Sequence, residues 1–219
     1  GGPSLSTIPG FVNTWVRLFI NRGCMVFLPN PRGSWGRGHA YQAANVGDLG
    51  GADWQDVVAG IDMLVSEGIA DPDRMAIAGW SYAGFLVTWA VTQTDRFRCA
   101  IAGANITNYV SNYGVVLNRE WQSTMFGSNV FDQMDLHWSR SPIKHIANVR
   151  TPTLLVHGQE DKVAPPQQSI EFYIGLKHFY VPAQLVIYPR EPHGFEEREH
   201  LRDLLQRMEA WLDQYLLND

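Results

Sequence analysis

Short apolar runs alternate along the chain with longer stretches whose apolar residues recur every three or four positions. The runs "CMVFLP" (24–29), "MAIAGW" (75–80), "CAIAGA" (99–104), "TLLVHG" (153–158) and "AQLVIYP" (183–189) are near-continuously apolar. Strands buried on both faces carry that pattern. Between them, helical periodicity predicts a helix over 11–22, with Phe11, Trp15, Leu18 and Phe19 on one face. A second is predicted over 54–67, where Val57, Val58, Ile61, Leu64 and Val65 recur, with Asp53 as its N-cap and Asp56 in its first turn. Further helices are predicted over 82–93, 166–179 and 196–217; the last has the clearest stripe, through Leu201, Leu204, Met208, Trp211 and Tyr215. Strand and helix alternating in this way predict a mostly parallel α/β sheet with right-handed crossovers and helices on both faces.

Two segments break the alternation. Residues 30–52 are Gly-rich and show no period. Residues 105–150 scatter Tyr109, Tyr113, Trp121, Phe126, Phe131 and Trp138 through short irregular pieces. An excursion of that length is more often a functional cover than a plain connector. No repeat or low-complexity tract divides the chain, and residues 1–219 read as a single domain.

Composition narrows the function classes. A length of 219 residues suits one α/β domain. With 18% charged residues and a formal net charge of -5, there is no basic stripe for nucleic acid. No apolar run reaches the roughly 20 residues of a membrane helix. Cys24 and Cys99 each open a predicted strand, and are expected to be small buried apolar residues rather than a disulfide or metal pair. The start, "GGPSLS", has neither an initiator Met nor a signal-peptide pattern. A chain cut from something longer is expected, with the cytoplasm as its compartment.

Candidate chemistry starts at "GWSYAGF" (79–85), where a predicted strand meets a predicted helix. Small residues at such a turn can serve packing alone. They also match the nucleophile elbow G-x-S-x-G, which holds a serine on a strained turn above the sheet. Ala83 stands where the second glycine usually is, and Gly84 follows it. A serine needs a base, and the base needs an orienting acid. Asp161 follows the strand "LLVHG" and His193 follows "LVIYP". Both lie past C-terminal strand ends, where ligands bind in open α/β sheets, and the order Ser, Asp, His is that of the α/β-hydrolases. Glu160 is the alternative acid. His157 is expected to support the acid loop by a hydrogen bond rather than act as the base, and the other five histidines read as surface or loop residues.

Together with "GGP" (1–3), "NPRGSWGRG" (30–38), "SPIKHIANVRTPTLLVHGQEDKVAPPQQS" (141–169) and "YPREPHGF" (188–195), these motifs resemble the prolyl oligopeptidase family of serine peptidases. The resemblance is to its acylaminoacyl-peptidase and dipeptidyl-aminopeptidase-like branch. It implies an α/β-hydrolase fold lacking its first strands here, short peptide substrates, no cofactor and no metal. Ser81 is then the nucleophile, Asp161 the acid and His193 the base. The oxyanion donors are the backbone N–H groups of Tyr82 and Gly2. The resemblance further implies a substrate pocket of Tyr82, Ile106, Tyr109, Tyr113 and Val163; for Tyr113 a core or lid role is equally open. The parent protein is expected to carry an N-terminal propeller, with a homo-oligomer left open and neither nucleic acid nor membrane as a partner. A carboxylesterase on the same scaffold, or an inert fragment, is the alternative. In the fold so implied, the strand before "GGP" would lie between 24–29 and the strand ending at Ser81. The sheet is therefore expected either to have a gap there or to have closed across it, and the chain alone to be unstable or aggregation-prone.

Overall fold

The computed structural model describes residues 3–8 and 13–217; Phe11, expected on the first helical face, lies outside them. Among the described residues four strands, β1 (Ala76–Trp80), β2 (Cys99–Gly103), β3 (Thr153–Gly158) and β4 (Ala183–Tyr188), form one parallel sheet in the order β1-β2-β3-β4. The register sets Trp80 opposite Gly103, Gly103 opposite Val156, and Gly158 opposite Tyr188, so all four strands end on one side of the molecule. The helices are α1 (Thr14–Asn21), the single turn α2 (His39–Gln42), α3 (Ala52–Ser66), α4 (Tyr82–Gln93), α5 (Tyr109–Val115), α6 (Arg119–Phe126), α7 (Met134–Ser139), α8 (Gln167–His178) and α9 (Arg198–Leu212). A π-helical turn extends α9 to Leu217, and a 3-10 helix spans Pro142–Asn148.

Period-two alternation on the central strands builds the two faces. Ala100, Ala102 and Leu155 point toward Val87 and Val91 of α4 and Phe172 and Leu176 of α8. Cys99, Ile101, Leu154 and Val156 point the other way, onto Leu204, Met208, Trp211 and Leu212 of α9, with Trp15, Leu18 and Phe19 of α1 alongside. Every residue of β2 and β3 is buried, as parallel strands sandwiched between helices require. A third cluster, with Tyr82, Phe85, Trp89, Tyr109 and Phe126, fills the space under the 105–150 excursion. That excursion is not irregular: it folds into α5, α6, α7 and the 3-10 helix.

The expected strand at 24–29 is not formed. An apolar run becomes a strand only with a ladder partner, and among the described residues β1 pairs with β2 alone. Across that edge the sheet has not closed. Met25, Phe27 and Leu28 are exposed, as are Ala76 and Ala78 of β1. Cys24 is correspondingly half-buried, whereas Cys99 is buried. Asp53 is not the N-cap of α3 either. Gly51 takes that position, and the Asp48 carboxylate accepts the Ala52 N–H at 2.8 Å. Asp56 instead clamps Arg32 of the Gly-rich loop, accepting four hydrogen bonds of 2.7 to 3.1 Å from its backbone N–H and guanidinium.

Candidate active site

The turn from β1 into α4 is the tightest part of the site. Ser81 has φ 61° and ψ -122°, in a region that costs a non-glycine residue of order 1–3 kcal/mol. The strain is held by close packing. A Cβ on Gly79 would collide with the backbone of Ala83, and one on Gly84 with the carbonyl oxygen of Gly103. Gly84 is therefore the glycine that lets α4 lie against β2, and Ala83 is tolerated because its methyl is not at that contact. The Ser81 N–H donates to Gly103 O at 2.9 Å, anchoring the turn to the sheet.

Three strand ends converge here. His193 Nε2 lies 2.9 Å from Ser81 Oγ, and His193 Nδ1 lies 2.7 Å from Asp161 Oδ2. A carboxylate accepts, so Nδ1 carries the proton and Nε2 is left to accept from the serine hydroxyl. Asp161 is buried, and burial alone would push its carboxyl up. Hydrogen bonds from His157 and His193 and from the Ala164 N–H outweigh this and hold it well below the usual carboxylate range. The Val163 N–H adds a further bond to Oδ1 at 2.8 Å. His157 is fully buried. Its Nε2 faces two acceptors, Ala164 O at 2.6 Å and Asp161 Oδ2 at 3.3 Å, and its Nδ1 lies 2.7 Å from Ser169 Oγ. Glu160, the alternative acid, is exposed; its N–H donates to Glu191 O.

Tyr82 opens α4, where first-turn N–H groups have no acceptor within the helix. Gly2 lies outside the described residues. The pocket residues are dispersed. Tyr109, expected to line an open pocket, is fully buried, edge-on to Phe85 and Phe126 at 5.2 and 4.9 Å, because its ring completes the cluster under the excursion. Ile106 is buried in that cluster as well. Tyr113 packs edge-on against Phe131, which is 81% exposed. Val163 is half-exposed beside Asp161. Cavities of about 290 and 170 Å³ lie elsewhere, the larger against Arg98, Arg150 and Tyr215 and the smaller between Trp54 and Phe97.

Two features escaped the sequence. The Tyr82 hydroxyl donates to the buried Asp53 carboxylate, whose pKa is raised by burial despite that bond. The signal was spacing: Asp53, Val57 and Ile61 are four apart and share one helical face. The Trp80 indole N–H donates to the His193 carbonyl at 2.9 Å, so the residue before the serine also holds the histidine's backbone. Among the described residues, Glu191, Glu197 and His200 bring ligand-type atoms together, but Glu191 is already satisfied by backbone N–H groups and His200.

The model of the prolyl oligopeptidase family matches residues 11–219. The chain is 35% identical over 203 residues to the uncharacterized peptidase YuxL of Bacillus subtilis, covering 89% of this chain and 30% of that protein. It is 32% identical over 230 residues to the acylamino-acid-releasing enzyme of Mus musculus, covering 99% and 30%. A crystal structure of puromycin hydrolase superposes with a TM-score of 0.91 at 28% identity over 98% of this chain and 32% of that one. The acylaminoacyl peptidase of Pyrococcus horikoshii superposes at 0.82 and 29%, over 87% and 32%. The chain thus spans about 30% of the length of these curated relatives.

Proposed function

The chain belongs to the prolyl oligopeptidase family, and from that premise we propose that it is the catalytic part of a serine peptidase cleaving short or N-blocked peptides through an acyl-enzyme. The observation that carries this is the unbroken chain Ser81 Oγ–His193 Nε2 and His193 Nδ1–Asp161 Oδ2, at 2.9 and 2.7 Å. In the proposed cycle His193 takes the Ser81 proton as Oγ attacks the scissile carbonyl. The Tyr82 N–H stabilises the oxyanion, and a preorganised donor of this kind is worth about 3 kcal/mol. His193 then protonates the leaving amine, and water repeats the sequence on the ester. Acidic Asp161 stays ionised throughout and stabilises the imidazolium. An N-terminal propeller in the parent protein belongs to the same proposal: the relatives named are about three times as long as this chain.

The test compares an N-acetylated amino-acid anilide with a short acyl ester. The proposal expects efficient anilide hydrolysis; ester turnover without anilide turnover would favour the carboxylesterase. The residue N-terminal to the cleaved bond is expected to be apolar. The Asp53 carboxylate that Tyr82 reaches is buried and already bonded to its hydroxyl, so it offers no free anion to a basic side chain. Faster cleavage after Lys or Arg than after Leu or Phe would contradict this.

A further inference from the structure

The segment from Arg190 to Glu197 carries His193, contains no regular element, and must nonetheless hold the imidazole to within a fraction of an ångström of Ser81. Three anchors fix it. The Trp80 indole donates to His193 O. The Glu160 N–H donates to Glu191 O at 2.9 Å, tying this loop to the acid loop. The third is the Glu191 side chain, which is buried although it is a carboxylate with no Lys or Arg bonded to it among the described residues. Its Oε2 accepts the Glu196 N–H at 2.7 Å. Its Oε1 accepts the Glu197 N–H at 3.0 Å and the His200 Nδ1–H at 2.7 Å. One carboxylate therefore closes the loop on itself around His193 and fastens its far end to the first turn of α9, where negative charge is also favoured. Gly158 lets the two loops touch: a Cβ there would collide with the carbonyl oxygens of Glu191 and Pro192.

We propose that Glu191 is a positioning residue for this peptidase: its carboxylate clamps the loop that presents His193 to Ser81. The proposal rests on the reading of His193 as the base. A carboxylate is required because all three partners are N–H donors. An amide would set its own N–H against at least one of them, and the loop would shift to relieve the clash. The chemistry tolerates little of this, since a misplacement of about 1 Å can cost on the order of 100-fold in rate.

The test uses Glu191→Gln and His200→Ala in the full chain, with a fluorophosphonate probe that reacts with the activated serine. For Glu191→Gln the number of reactive sites per folded molecule should match the wild type. The second-order labelling rate should fall about 10- to 100-fold. The peptidase kcat should fall with it and KM should change little. His200→Ala removes one of the three donors from a partly exposed position and should lower the labelling rate in the same direction by less. A merely structural role predicts fewer reactive sites, each reacting at the wild-type rate; that result, or unchanged rates in both variants, overturns the proposal. Should Glu191→Gln not fold, His200→Ala decides alone. If the wild type does not label at Ser81, the triad reading has failed and the proposal falls with it; normal wild-type labelling with unaltered variants sinks the clamp only.

Discussion

Two buried aspartates in opposite surroundings connect to the nucleophile turn, Asp161 through His193 and Asp53 through the Tyr82 hydroxyl. On one side Asp161 receives two imidazoles and the N–H groups of Val163 and Ala164, and its pKa is pulled down. On the other, Asp53 receives the Tyr82 hydroxyl and the Trp54 N–H, with no imidazole or guanidinium bonded to it among the described residues, and burial pushes its pKa up. On the acid–base side both Asp161 oxygens and both imidazoles are paired, and the one buried polar atom left without a partner along the His157–Ser169–Asn105 chain, among the described residues, is the Asn105 amide nitrogen. The Tyr82 side is a core cluster with polar atoms folded in. There the Asn45 amide and the Tyr109 hydroxyl are buried without a partner among the described residues. Burial alone does not make a carboxylate useful for proton chemistry; partners that favour its charge do.

The largest effect should separate the two aspartates by rate. Asp161→Asn should cost about 10⁴-fold in kcat per titrated site, by analogy with other triads in which the acid fixes the histidine tautomer. Asp53→Asn should leave turnover per site within about tenfold, because its bond is to the Tyr82 hydroxyl and not to the reacting atoms. Equal losses in both variants would break the comparison.

The pH dependence of stability should carry opposite signs on the two sides. Asp161 has a depressed folded pKa. Its contribution is present above the unfolded carboxylate value of about 4, and is lost as pH falls from there through the folded value. Asp53 has a raised folded pKa, so the folded state holds its proton longer, and stability declines as pH rises above about 4 through the folded value. Urea unfolding across the acid range should show that Asp161→Asn flattens the acid loss. Asp53→Asn should gain on wild type as pH rises. Slopes of the same sign in both difference curves would contradict this.

The smallest effect belongs to Tyr109→Phe. Its hydroxyl is buried and unpartnered among the described residues, so removal should be neutral or stabilise by about 1 kcal/mol. A clear loss by thermal unfolding would mean the hydroxyl has a partner after all.

The same contrast explains what the sequence made legible. Four of the five apolar runs became strands; burial on both faces accounts for the pattern of β2 and β3, whereas β1 and β4 at the edges are only partly covered. The fifth, 24–29, has the same pattern; its failure to pair depends on what lies beside it, which periodicity does not record. Ser81, Asp161 and His193 each follow a strand, and strand ends can be read from the chain, so the residues now joined by hydrogen bonds could be named together. Tyr109, expected in the pocket, lies in the core instead, because an aromatic after a strand reads the same in either place. Glu191 left no trace at all: its three partners are backbone and side-chain N–H groups five to nine positions away, along a loop without period.

The central claim is that Ser81 is the activated nucleophile. It is tested most directly by labelling the full chain with a fluorophosphonate and mapping the adduct by mass spectrometry. The account predicts a single stoichiometric adduct on Ser81, absent from His193→Ala, and a loss in turnover on the order of 10⁶ in Ser81→Ala. An adduct on another residue, or peptide hydrolysis that survives in Ser81→Ala, would contradict it.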